Sequence, residues 1–410
     1  MSDWIVSIDI GTSNVCALIG KVSKYSQIEI AGRGMAPCSG LKKGVIVDID
    51  STSASIRKAV EEAETDANMR VDSAYVNIHG MHVNIVNNRS WMSINGREIT
   101  RDDLDDILRD VRDIEIPEDR QLIDVIPRQF IIDGYDEITD PVGMVGTRLE
   151  VDADMLVGKI TSAQNIIKSM ERADVKLDGI VAEAFASAEI CLTPDERDIG
   201  AVLLDVGGSI TDVSVFQGKR LVFYDSIPVG GDHITNDIAI GLRISNTEAE
   251  KIKRQFELAL TSLIKNDQEI SVLDINENRK KNVKVSEVVE IIEARVYEIF
   301  SLCKGLLDKA GINIPREGGV IMTGAGISYV DGCKQLAQEV FDLPVRVVQA
   351  GQIPGVLKPE FIASAGMIRY VASVRKGGSR ASEIRLRKQE KQKKDESVFE
   401  KILNFIKKMF

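Results

Sequence analysis

Apolar residues near the start of the chain come in two bursts separated by a polar tip. Val6, Ile8 and Ile10 lead into Asp9-Ile10-Gly11-Thr12-Ser13-Asn14, and Val15, Ala17, Leu18 and Ile19 leave it. Two short apolar runs around a small, hydroxyl-rich turn predict a β-hairpin. A third strand is expected at 27–32, an Ala/Glu-rich helix at 51–68 and a further strand at 74–80. From 81 to 159 the pattern changes to short strands around one helix, 101–113, with many Asp and Pro residues, which reads as an inserted small domain. A helix at 162–173, a strand beginning at 179–181 and a helix at 182–191 close this half.

The second half repeats the style of the first. Ala201-Val202-Leu203-Leu204 is a buried strand entering the turn Asp205-Val206-Gly207-Gly208-Ser209, and 212–216 leaves it. Asp9 and Asp205 therefore head two similar hairpins 196 residues apart. An internal duplication explains this economically and predicts two similar lobes with their hairpins facing each other. Residues 245–310 read as helical and charged, apart from a strand-like patch near Val272. A strand at 319–323 ends in Gly324-Ala325-Gly326, and 363–374 reads as the closing helix.

Composition and charge narrow the classes. The 410 residues are 44% hydrophobic but only 5% aromatic, so the core must be built from Val, Ile, Leu and Ala. The formal net charge of −11 argues against a general nucleic-acid binder. Residues 375–410 nevertheless hold 12 Lys/Arg against 5 Asp/Glu, so an acidic body carries a basic tail. Five scattered cysteines with no C-x-x-C indicate neither a disulfide framework nor a zinc site, and buried thiols are expected. His79 and His82 lack a third ligand at metal-like spacing. No apolar run reaches the ~18 residues of a membrane span, and no signal peptide is visible, so a cytoplasmic location is expected.

Each Asp-headed turn has the parts to hold a phosphate and its metal. Gly11 lets the backbone approach closely, and Thr12, Ser13 and Asn14 offer donors; Gly207, Gly208 and Ser209 repeat the arrangement. Asp9 and Asp205 suit hydrated Mg²⁺, which binds through few carboxylates and keeps several waters. Gly230-Gly231 precedes a helix whose N-terminus would point at a phosphate. Glu250 and Lys253 share a helical face and would reach a ribose and base edge, or form only a solvated ion pair. With the third turn at Gly324, Ala325 and Gly326, the set points to nucleotide binding. Neither a Walker lysine motif nor G-x-G-x-x-G after a strand occurs, which leaves P-loop and Rossmann chemistry without footing.

The turns at Asp9 (D-I-G-T-S-N), Asp205 (D-V-G-G-S-I-T-D) and Thr323 (T-G-A-G) resemble the two phosphate motifs and the adenosine motif of the actin, Hsp70 and sugar-kinase superfamily. Within it, the insert, G-L-K-K-G-V-I-V-D-I-D at 40–50 and the basic tail resemble the FtsA family of bacterial cell-division proteins. The resemblance implies an α/β, actin-like two-lobed ATPase fold of duplicated ribonuclease-H-like cores, with an inserted α+β subdomain and a C-terminal amphipathic helix. The implied domains are 1–81 with 161–198 (subdomain 1A), 82–160 (1C), 199–228 with 311–374 (2A), 229–310 (2B), a basic linker at 375–396 and the helix at 397–410. It also implies ATP and Mg²⁺ between the lobes, and filaments formed with copies of itself. Further implications are binding of the FtsZ C-terminal peptide, recruitment of later division proteins through 1C, and peripheral attachment to the cytoplasmic side of the membrane at the division site.

Some positions carry specific roles or departures. Asp205 and Glu183 are the catalytic candidates, Glu183 standing where relatives position the attacking water. The superfamily's second turn is Asp-x-Gly-Gly-Gly-Thr. Here Ser209 and Ile210 replace the last two residues, and Thr211 should face the other side of the strand. No counterpart of the chaperone's catalytic lysine is evident, so at most weak ATPase activity is expected. Arg295 and Glu298, in E-A-R-V-Y-E, fall where the family's E-x-R-x-x-E receives the FtsZ peptide. Phe399, Ile402, Leu403, Phe405, Ile406, Met409 and Phe410 recur at helical spacing. Fourteen residues at ~1.5 Å each are too short to cross a ~30 Å hydrocarbon core, so this helix should lie in the surface of anionic lipid. An actin-like pilus-assembly protein and a sugar-kinase-type phosphotransferase are the alternatives. The kinase would need a positioned base for an acceptor hydroxyl, which the sequence does not offer.

Overall fold

A computed structural model describes residues 4–376 except 24, 26, 276, 354 and 357. The basic linker and the terminal amphipathic helix expected from the sequence lie outside the described residues. The described chain forms two compact units. One comprises the chain up to Val86, Ile116–Ile123 and Leu156–Ala372; the other is built from Asn87–Glu115 and Asp124–Met155.

The larger unit contains two five-stranded sheets of the same topology. In the first, the order is Lys176–Ala182, Ser73–Ile78, Ile5–Ile10, Asn14–Val22, Ile28–Pro37. In the second it is Val345–Val347, Val320–Thr323, Ala201–Val206, Thr211–Gln217, Arg220–Ile227. In both, the central strand pairs antiparallel with the next strand in sequence and parallel with its other neighbour. The central strands are buried on both faces: Ile5 lies opposite Ile8 and Ile10 in the first, and Ala201, Val202, Leu203 and Leu204 are buried in unbroken sequence in the second. That continuous apolar run is what a strand covered on two sides requires.

Helix Ile49–Ala67 shows how the first sheet is covered. Asp48 caps its N-terminus by accepting from the Ser51 N–H, and Asn68 ends it in the left-handed region at φ 51°. Its buried face is small, with Thr52, Ser55, Ala59 and Ala63 beside Ile56 and Val60. The facing strand supplies Gly34, where an added Cβ would lie 1.8 Å from the Ala59 carbonyl oxygen. The helix therefore lies closer to the sheet than ordinary side chains permit.

The second core carries helices Gly231–Leu242, Asn246–Phe256 and Val285–Lys309. Where the sequence suggested one strand-like patch near Val272, a full hairpin forms, Glu269–Asp274 with Arg279–Lys284. Helix Cys333–Phe341 and strand Val345–Val347 carry no expectation from the sequence; both are short, and the helix starts at Gly332 with no side-chain cap.

Three of the four strands of the 81–159 region are long, and only Tyr135–Ile138 is as short as expected. Val83–Glu98, Arg120–Ile132 and Val145–Lys159 have 16, 13 and 15 residues. Their Asp and Arg residues look like loop signals but pair across the sheet: buried Asp152 accepts from Asn87, Arg89 and Arg128. The one helix, Arg101–Asp110, has a capping box between Thr100 and Asp103, and Arg97 grips Asp103 with two bonds of 2.6 Å. No helix among the described residues is long and apolar enough to cross a membrane.

Candidate functional site

The two Asp-headed hairpins superimpose in register as well as in sequence. Asp9 pairs with Cys16 and Asp205 with Asp212, each pair offset by 196 residues. The same turn bond closes both tips: Gly11 N–H to the Asn14 carbonyl at 3.0 Å, and Gly207 N–H to the Ile210 carbonyl at 2.9 Å. Both tips face one cleft. Its narrow end, about 90 Å³, is lined by Asp9, Gly11, Thr12, Glu183, Asp205 and Gly207. Ser13, Asn14, Gly208 and Ala325 line both this end and a roomier chamber of about 500 Å³, which adds Gly231, Glu250, Lys253 and Gly326. The chamber lies in the size range of small-molecule sites. Ser209 joins through its backbone, whose N–H donates to Thr12 Oγ1 at 3.0 Å. Gly324 closes the third turn at φ +100°, and a side chain there would strike the Val206 carbonyl and Asp205.

Acidic groups converge at the narrow end. The Asn77 amide donates to Asp9 Oδ1 at 2.6 Å and to Glu183 Oε2 at 2.9 Å, while Ser187 donates to Asp205 Oδ2 at 2.7 Å. Loss of hydration, reinforced by the neighbouring carboxylates, pushes the Asp9 carboxyl up to about 7. Burial likewise raises Asp205 to about 6 and Glu183 well above the usual range. These groups resist ionising together unless a cation joins them. Asp212 behaves differently. It accepts from His79 Nδ1 at 2.8 Å, the Gly80 N–H at 2.9 Å and the Ser226 hydroxyl at 2.6 Å. Burial opposes its charge, but these partners win and hold its carboxyl below the usual value. Burial also opposes charge on His79, yet Asp212 outweighs it and raises the imidazole to about 10. Asp212 therefore favours the charged form of the His79 ring. Asn77, His79 and Ser187 lie outside every motif read from the sequence, and Asp212, though it ends the D-V-G-G-S-I-T-D turn, was not singled out there.

Several expected contacts take another form. The N–H groups of Gly231 and Asp232 already donate to the Gly207 and Gly208 carbonyls at 2.9 and 2.8 Å, and the Gly230 N–H donates to His233 Nδ1. The first turn of that helix is therefore spent on packing against the second hairpin. Lys253 is buried, and its ammonium donates to the Gly231 carbonyl at 3.1 Å and Thr235 Oγ1 at 2.8 Å, with Glu250 at 2.6 Å. Glu250 also binds Arg254, whose guanidinium lies 3.9 Å over the Tyr329 ring. Glu250 and Lys253 do form an ion pair, but with the Lys253 end buried and not solvated as expected, and both line the chamber. Thr211 is fully buried and donates to the Val229 carbonyl, whereas Ile210 lines the cleft. Arg295 and Glu298 do share a face, but Arg295 is already bound at 2.5 Å to both Asp237 and Glu298. Glu293 accepts the Thr261 N–H. His82 bonds the Gly44 carbonyl. Four of the cysteines are buried and Cys38 is half-buried. Phe399, Ile402, Leu403, Phe405, Ile406, Met409 and Phe410 lie outside the described residues.

Among the described residues no group of three His, Cys, Asp or Glu side chains is arranged to hold a metal by itself. Asp9 and Asp205 offer only hard oxygen donors with raised carboxyls, which fits a cation that takes one or two carboxylates and completes its shell with water and phosphate.

Solved structures share the architecture. The chain of the PilM–PilN type IV pilus biogenesis complex matches with a TM-score of 0.61 at 14% identity, covering 90% of this chain and 98% of that one. MreB5 of Spiroplasma citri bound to AMPPNP matches with a TM-score of 0.57 at 15% identity, covering 92% and 98%. The fold is actin-like. Two family models match: an SHS2 domain inserted in FtsA over residues 80–157, and cell division protein FtsA over 202–366. The FtsA of Bacillus subtilis is 37% identical over 372 residues, covering 90% of this chain and 83% of the relative. That of Pseudomonas aeruginosa is 34% identical over 370 residues, covering 89% and 88%. With this likeness running through both cores and the insert, the chain belongs to the FtsA family of cell-division proteins.

Proposed function

We propose that the cleft binds ATP with Mg²⁺, and that the chain polymerises on the cytoplasmic face of the membrane at the division site and anchors the FtsZ ring there. The observation that carries the nucleotide reading is the convergence of Asp9 and Asp205, on duplicated hairpins, at the floor of a single cleft beside the Gly324 turn. Thr12, Ser13, Asn14, Gly207, Gly208 and Ser209 would face the phosphates, and Glu250, Gly326 and the aliphatic stem of Lys253 the ribose and base. Asp9 and Asp205 would hold hydrated Mg²⁺, whose charge would offset that of the phosphates. Glu183, held by Asn77, would accept a proton from or orient an attacking water. Ile210 leaves the cleft without one hydroxyl donor, and losing a positioned donor costs ~10²-fold in rate, so turnover would be slow. Nucleotide is also bound by MreB5, whose fold is shared.

The membrane, FtsZ and filament roles rest on family membership together with the sequence of the tail and of helix Val285–Lys309. The inserted subdomain would meet later division proteins. Calorimetric titration with Mg²⁺–ATP tests the cleft: Asp205→Ala should weaken binding at least tenfold, and equal affinity would remove that hairpin from the site. Flotation with anionic liposomes, with and without FtsZ, tests the adaptor role. FtsZ should float only when this chain is present.

A further inference from the structure

The two phosphate-type turns are tied to each other in the structure, and the tie is a carboxylate. Ser13 Oγ, on the first turn, and Ser209 Oγ, on the second, both donate to the same oxygen of Asp232 at 2.9 Å. The Ser209 N–H reaches across to Thr12 Oγ1 at 3.0 Å. Asp232 is fixed at this point by its own N–H, which donates to the Gly208 carbonyl. A hydroxyl pair that converges on one anionic oxygen is the arrangement a phosphate oxygen would use. The helix start beside it has no N–H of its own to offer, because Gly231 and Asp232 spend theirs on the second turn.

We propose that Asp232 is a built-in competitor for the phosphate seat: its carboxylate takes the Ser13 and Ser209 hydroxyls that a phosphate oxygen would take, and nucleotide enters by displacing it. The inference rests on the nucleotide reading above and adds its regulation. The carboxylate does two things at once. It satisfies hydroxyls that would otherwise face water, joining the two cores across the cleft. It also repels bare polyphosphate, so entry favours nucleotide whose charge is already reduced by a divalent cation. A ligand without phosphates has no reason to respond to it.

Isothermal titration of the full chain with ATP, with and without Mg²⁺, and with adenosine tests this on the parent, Asp232→Asn and Asp232→Ala. The variants should bind ATP about tenfold more tightly, with the larger gain in the absence of Mg²⁺, and should bind adenosine with unchanged affinity. Hydrogen exchange at the Ser209 amide should be faster in the nucleotide-free variants, which a purely long-range charge effect would not produce. Melting temperatures within a few degrees of the parent would show that both variants fold. Equal or weaker ATP binding by the folded variants overturns the proposal, as does equal tightening toward adenosine. If neither parent nor variants bind ATP, the nucleotide reading falls and this proposal with it. A parent that binds ATP beside variants that bind no better sinks this proposal alone.

Discussion

His79 shows how far a residue's role depends on neighbours it cannot find in sequence. Its ring is buried against Asp212, and Glu183 and Asp9 lie close enough to favour its charge as well. A histidine raised from 6.5 to about 10 stabilises the fold fully below its unfolded value, and that contribution is lost as pH rises through 10. Asp212, lowered from 3.8, contributes above that value and loses its effect only in acid. The pair is therefore intact at neutral pH. Removing one partner of a buried pair leaves the other uncompensated and costs about 3–5 kcal/mol. Urea unfolding should show His79→Asn destabilised by about that amount at pH 7, with the gap to the parent closing as pH approaches 10. A gap independent of pH would mean that the imidazole is neutral in the fold.

Two elements carry predictions of their own. Helix Ile49–Ala67 rests on its sheet through small residues, with Gly34 directly under the Ala59 carbonyl. Gly34→Ala would force helix and strand apart, and overpacking of this kind costs about 1–3 kcal/mol. A lower urea midpoint with unchanged slope is the expected result. Helix Val285–Lys309 presents Arg295, whose guanidinium is divided between Asp237 and Glu298. Any acidic group of the FtsZ peptide would have to compete with Asp237. Arg295→Glu should abolish peptide binding in fluorescence anisotropy while leaving ATP binding intact, because the cleft is lined by other residues. Unchanged peptide affinity would move the contact off this helix.

At the scale of the whole molecule, charge and anchorage are separate questions. The chain is acidic overall, and an excess of basic over acidic residues is found beyond residue 374. Basic residues near an anionic bilayer contribute about 1 kcal/mol each, so the linker would offset repulsion of the acidic body. A chain ending at Ser382 should fail to float with anionic liposomes, and a charged residue at Phe405 or Ile406 should release the full chain to the soluble fraction. High salt should weaken binding only in part, since apolar insertion is not screened. Flotation of the shortened chain would place the anchor elsewhere.

The duplication was legible in the sequence because a strand, an Asp-headed turn and a returning strand are local, and the 196-residue offset survives into the hydrogen-bond register. The nucleotide reading rests on the same turns for a similar reason: Gly324 takes φ +100°, and at Gly11 an added Cβ would lie 2.8 Å from the Asn14 carbonyl oxygen. Long-range partners were not legible. Asn77, Ser187 and Asp212 acquire meaning only when parallel pairing brings Ser73–Ile78 beside Ile5–Ile10 and the second core closes on the first. The long strands of the insert were hidden because their charged residues pair across the sheet, where a linear pattern sees only polarity. Spacing placed Glu250 beside Lys253 and Arg295 beside Glu298, since helical period is a property of the chain. Only the tertiary structure decided that Lys253 turns inward to Gly231 and that Arg295 is claimed by Asp237, because those partners lie on another helix.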